Sequence, residues 1–77
     1  MNGTEIRRKR ANARIAGRLL CLRAGVDRTR LSNIERGYVQ PSEAELGRIT
    51  AALEGLIQAR QKVATFAAEV GWPMALA

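Results

Sequence analysis

Between Gly25 and Gly37 the chain reads GVDRTRLSNIERG, and few of these residues suit a core. Leu31 and Ile34 are the apolar anchors. Around them stand Arg28, Thr29, Arg30, Ser32, Asn33 and Arg36, with one acid, Glu35. A guanidinium presents a planar fork of donors that matches phosphate oxygens and the O6/N7 edge of guanine. An asparagine amide matches the N6/N7 edge of adenine, and a threonine methyl packs on the methyl of thymine. On a helix, residues advance about 100° each. With Leu31 at the centre of the buried face, Asp27, Ile34 and Tyr38 fall near it, and Glu35 lies only about 40° away. Thr29, Asn33 and Arg36 point nearly the opposite way, with Arg28 and Ser32 on one flank and Arg30 on the other. A donor-rich face held by an apolar one is what a helix lying in a nucleic-acid major groove requires.

The charge distribution points the same way. The 77 residues carry a formal net charge of +6. Residues 1–40 hold ten Lys/Arg against three Asp/Glu, a balance of +7, and residues 41–77 hold three against four, a balance of −1. Nine of the ten cations are arginine, so the basic half is suited to a polyanion. A membrane surface is a poorer match, because TEIRRKRANAR has too few large apolar residues to insert.

Other chemistries are poorly supplied. With one cysteine and no histidine, no internal disulfide or zinc site is expected, and Cys21 reads as a small buried apolar residue. No cofactor is implied. There is no nucleophile–base pair and no phosphate loop, so an enzyme is not expected. No apolar run reaches the 18 or so residues of a membrane span, and no apolar stretch follows the basic N-terminal residues as in a secretory signal. A cytoplasmic location is expected.

The elements that position these residues are helices, since no window alternates as a strand does. Thr4 is a candidate cap for a first helix over Glu5–Ala13, followed by Ile15. A second helix spans Gly17–Ala24, with Leu20, Cys21 and Ala24 on one face and Gly25 as its left-handed stop. Asp27 caps the third helix, Arg28–Arg36. Pro41 blocks continuation, and SEAE, Ser42 to Glu45, is a capping box that starts a fourth helix. Leu46, Ile49, Leu53, Leu56, Val63, Ala67 and Val70 then follow a 4-3 spacing broken at Arg60, and Gly55 is a candidate break. VGWP ends this helix, with Gly71 and Pro73 as stop residues.

Two short helices joined at a glycine, with Leu20, Cys21, Ala24, Gly25, Val26, Leu31 and Ile34 meeting its packing demands, suggest a helix-turn-helix. The segment IAGRLLCLRAGVDRTRLSNIERGYVQPSEAELGRITAAL resembles the Cro/C1-type helix-turn-helix of phage repressors and the xenobiotic-response-element family. LSNIERG and PSEAEL carry the most specific part of the resemblance, which covers about residues 6–57. It implies an all-α, lambda-repressor-like bundle of four to five helices that binds double-stranded DNA, usually as a dimer, and most often represses transcription.

The resemblance also implies roles. Arg28, Thr29 and Asn33 occupy the base-reading positions, with Ser32 a weaker candidate. Arg14, Arg18, Arg36 and Tyr38 are candidate phosphate ligands. Many relatives start the second helix with Ser/Thr and then Gln; here Ala16 and Gly17 stand instead. The loss of that side-chain grip leaves the N–H groups at Gly17 to hold a phosphate. Arg10 matches the family arginine that pairs with the glutamate at Glu35, which implies a partly buried structural ion pair.

The expected division is a DNA-binding domain over residues 1–57 and a helical extension over 58–77. In the extension and just before it, Leu53, Leu56, Val63, Ala67 and Val70 form a candidate homodimer stripe. A second reading is an antitoxin-like protein, whose C-terminal helix binds a protein partner while the helix-turn-helix autoregulates.

Overall fold

The computed structural model describes residues 1–69, with the backbone alone at residues 67 and 68. Four helices follow in order: α1 (Gly3–Asn12), α2 (Gly17–Ala24), α3 (Arg28–Glu35) and α4 (Glu43–Glu69). The described residues contain no strand, and the fold is all-α.

Helix α1 begins two residues earlier than Glu5. Asn2, not Thr4, is its cap: the Asn2 Oδ1 accepts from the Glu5 N–H at 2.9 Å, so one of the helix's unpaired N-terminal donors is satisfied. Helix α2 begins at Ala16 without a side-chain cap and stops at Gly25, whose φ of 68° is left-handed. The turn is short because Asp27 immediately restarts the chain as α3, its carboxylate accepting from the N–H groups of Thr29 and Arg30. Arg36 closes α3 as its C-cap.

Ser42 starts α4 as a capping residue, its Oγ accepting from the Glu45 N–H at 3.1 Å. The helix runs 27 residues without interruption at Gly55. At 1.5 Å per residue it is about 40 Å long, which accounts for the 44 Å long axis of an otherwise 19 Å-wide molecule.

One core holds the four helices together. Ile6, Ile15, Leu20, Cys21, Ala24, Val26, Leu31, Ile34, Ile49 and Leu53 are all buried in it. Leu53 is completely buried, so it belongs to the chain's own core and is not available to a second copy. Leu56 and Ile57 are half-buried against the core, and beyond them the described side chains of α4 are exposed. The boundary expected between residues 57 and 58 therefore falls inside a continuous helix, where packing ends but secondary structure does not. The Ala67 side chain, Val70 and the VGWP stop lie outside the described residues.

Tyr38 departs from the helical wheel. It is 73% exposed, because α3 ends at Glu35 and the 100° step no longer applies after Arg36.

Candidate nucleic-acid interface

Leu31, Ile34 and Glu35 are the buried residues of α3. Arg28, Thr29, Arg30 and Arg36 are exposed, while Ser32 and Asn33 are half-buried. The division is clean for Arg28, Thr29, Arg30 and Arg36, whereas Asn33, which the helical step sets nearly opposite Leu31, is half-buried. The anchors are few but deep, with Ile34 1% exposed and Leu31 3%.

Orientation comes from a single arginine. Arg10 of α1 donates from Nε to Glu35 Oε2 at 2.8 Å and from Nη2 to Glu35 Oε1 at 2.9 Å. Its Nη1 donates to the Ile15 carbonyl at 3.0 Å, in the connection between α1 and α2. A Cβ at Gly17 would lie 3.6 Å from the same guanidinium, an ordinary contact. One side chain therefore fixes the start of α2 and the end of α3 relative to α1. Hydrogen bonding to Glu35 raises the Arg10 pKa above its ordinary value, against an opposing desolvation.

A second fork pairs Arg30 with Glu45. Arg30 Nε and Nη2 donate to the Glu45 carboxylate at 3.1 and 2.9 Å, which ties α3 to the first turn of α4. The hydrogen bond from Arg30 holds the Glu45 carboxyl below its ordinary pKa. This pair was not visible in the sequence, since the two residues are 15 apart and both look like solvated surface.

The three acids nearest the donor face are thus each engaged. Asp27 caps α3, Glu35 is neutralised by Arg10, and Glu45 by Arg30. The cations left over, Arg28, Arg36, Arg18 and Arg14, are exposed. Arg7, which sequence reasoning did not single out, joins them. It lines a small polar cleft of about 170 Å³ with Arg10, Ser32, Glu35 and Arg36. Spacing gives the signal in retrospect, because Arg7 and Arg10 are three apart and share a face of α1.

Arg14 has an unusual backbone. Its φ of 57° is left-handed, the only such value at a non-glycine residue among those described. The Ile15 N–H bonds to the Arg10 carbonyl and the Arg14 N–H to the Ala11 carbonyl, the paired bonds of a Schellman stop. Helix α3 ends with the same two bonds, from Tyr38 to Asn33 and from Gly37 to Ile34, but there the left-handed residue is glycine, Gly37 at φ 79°.

Cys21 lies inside the α2 face of the core, and burial pushes its thiol pKa up. That disfavours the reactive thiolate. Among the described residues, no helix is long and apolar enough to cross a membrane.

An all-α bundle in which a short helix, a glycine turn and a donor-faced second helix are locked to a basic first helix defines a helix-turn-helix protein. A helix-turn-helix family model matches residues 6–55, 50 of the 77 residues. The chain belongs to that Cro/C1-type family, one of DNA-binding transcription regulators. No curated protein and no solved structure matches the chain.

Proposed function

We propose that the protein is a transcriptional repressor that binds an inverted-repeat operator as a homodimer, each copy laying α3 in a major groove. The observation that carries this reading is the state of the acids around α3. Each is committed to a cap or an arginine, so the outward donors meet DNA without a free carboxylate between them. Arg28, Thr29 and Asn33, with Ser32 beside them, read base edges: Arg28 a guanine, Asn33 an adenine, Thr29 a thymine methyl.

Phosphates are held on either side. Arg14, Arg18 and the uncapped N–H groups at Gly17 take one stretch of backbone, where the positive end of α2 also favours an anion. Arg36 and Tyr38, with Arg7, take the other. Two heads joined through α4 place their recognition helices on half-sites about 10 bp apart, or a multiple of it.

Selection from random DNA, followed by footprinting, tests this. The recovered site is expected to be an inverted repeat, and a reporter downstream of it is expected to fall in output when the protein is present. In binding assays, Arg28→Ala and Asn33→Ala relax base preference by roughly 1–3 kcal/mol per lost contact. Arg18→Ala weakens binding to every sequence and flattens the salt slope by about one. Unchanged affinity and preference in Asn33→Ala would show that the reading face is misassigned.

A further inference from the structure

Past Ile57, the apolar residues of α4 follow a pattern that the core does not use. Leu56, Ala59, Val63 and Phe66 recur at intervals of three and four, and Ala52 stands four residues before them. They form one stripe, turned by roughly 100° from the buried Leu53. Val63 is 62% exposed and Phe66 64%, an unusual cost for two large apolar side chains on one helix face.

The two ends of the stripe differ in shape. At the bundle end lies a groove of about 500 Å³, floored by Ala52, Gly55, Leu56 and Ala59 and walled by Arg23 and Arg48. Gly55 leaves it open, since no atom lies within 4 Å of where its Cβ would be. At the far end stand the projecting Val63 and Phe66. Projection and socket sit on the same chain, about two helical turns apart, which is the requirement for an isologous interface.

We propose that this stripe is the self-association surface: a second copy of the chain lies antiparallel along α4, with Val63 and Phe66 of each copy seated in the groove of the other. This deepens the dimeric reading above by naming its surface and direction. With Leu56 across from Ala59 of the second copy, Ala52 falls across from Val63, so Leu56 and Val63 each meet an alanine, and Phe66 falls level with the buried Ile49, next to Arg48. The same register brings Glu69 alongside Arg48 of the second copy, a match of charge as well as shape. Phe66 then reaches the Arg23 and Arg48 end of the groove, where a guanidinium stacks on its ring. A parallel pairing would instead set Lys62 beside Lys62 and Glu69 beside Glu69, and would leave both grooves empty.

Sedimentation equilibrium on the full chain, without DNA, tests the surface independently of base reading. The chain is expected to be a dimer. Val63→Glu places an unpaired carboxylate in the seam and is expected to weaken association roughly 100-fold or more, with Phe66→Ala weakening it in the same direction. Both residues are exposed in the single chain, so helical content by circular dichroism should stay at the wild-type level. Arg48→Glu is expected to weaken the dimer, and adding Glu69→Arg to restore it. A chain that stays monomeric at millimolar concentration, or a dimer indifferent to Val63→Glu, overturns the proposal and leaves the stripe to a foreign protein. Failure of the charge exchange to restore association overturns the antiparallel register. Binding of Val63→Glu to a single half-site, measured separately by fluorescence anisotropy, shows whether α3 still reads DNA if the dimer surface is wrong.

Discussion

Arg10 and Glu35 meet in a two-point fork, Nε to Oε2 at 2.8 Å and Nη2 to Oε1 at 2.9 Å, across the junction of α1 and α3. The Glu35 side chain is 7% exposed and that of Arg10 20%. Removing Arg10 therefore strands the better buried charge. Arg10→Met is expected to destabilise the protein by about 3 kcal/mol, and Glu35→Gln by less, because Arg10 retains access to water and the Ile15 carbonyl. The double variant Arg10→Met/Glu35→Met should recover part of the loss, as an apolar pair leaves no orphaned charge. Urea denaturation of the three variants gives the comparison. A loss in the double variant equal to the sum of the two single losses would mean that the pair is not coupled.

How much of this was legible beforehand depends on the range over which each interaction acts. Gly25, Asp27 and the Ser42–Glu45 box are local signals, and the end of α2 and the starts of α3 and α4 follow from them. The donor face of α3 rests on a helical step that holds only while the helix lasts, which is why Tyr38, beyond its end, departs from the wheel. Thr4 is the more conspicuous cap in the sequence, but Asn2 stands three residues before Glu5, the spacing a capping box uses. The Arg30–Glu45 fork depends on how α4 packs against α3, and no local pattern encodes it. The 4-3 spacing through Leu53 merged two stripes. Packing separates them, with Leu53 in the core and Leu56 at the edge of the exposed face.

Gly3 is a close-approach position that sequence pattern does not mark. A methyl group there would overlap the carbonyl oxygen of Ile34, so the first turn of α1 lies directly on the end of the reading helix. Gly3→Ala is expected to destabilise by roughly 1–3 kcal/mol through the forced shift. Gly47, exposed within α4 with open space where its Cβ would be, is the contrast. Gly47→Ala is expected to stabilise by about 0.5–1 kcal/mol, from helix propensity alone. Thermal melting of both variants checks the opposite signs.

The Arg30–Glu45 pair predicts a pH dependence. Arg30 holds the folded Glu45 carboxyl below its unfolded value of about 4.3. The stabilisation is therefore present above that pH and is lost as pH falls through the lower, folded value. Glu45→Gln keeps the side chain's length but cannot ionise. Wild type is expected to exceed this variant in stability at pH 7 by a small margin, since the pair faces solvent and salt. That margin should shrink below about pH 4. Urea midpoints for the two proteins between pH 7 and 2.5 give the test, and a margin that grows on acidification would contradict the assignment.

Arg14 offers a separation of stability from binding. A left-handed φ costs an L-residue about 1 kcal/mol relative to glycine, and the equivalent position after α3 is Gly37. The strain at Arg14 stands next to the uncapped start of α2, where a phosphate is proposed to sit. Strain kept at such a place is consistent with a side chain needed for binding. Arg14→Gly is expected to raise stability by about 0.5–1 kcal/mol, set by the relieved backbone. It should also weaken binding to all DNA sequences alike and lower the salt slope by about one, because one phosphate contact is lost. Arg14→Lys retains the charge and the strain, and should leave the salt slope near that of wild type. If Arg14→Gly gained stability without any loss of DNA affinity, the residue would be no more than a poor helix stop, and the phosphate contact would have to be assigned to Arg18 and the N–H groups at Gly17.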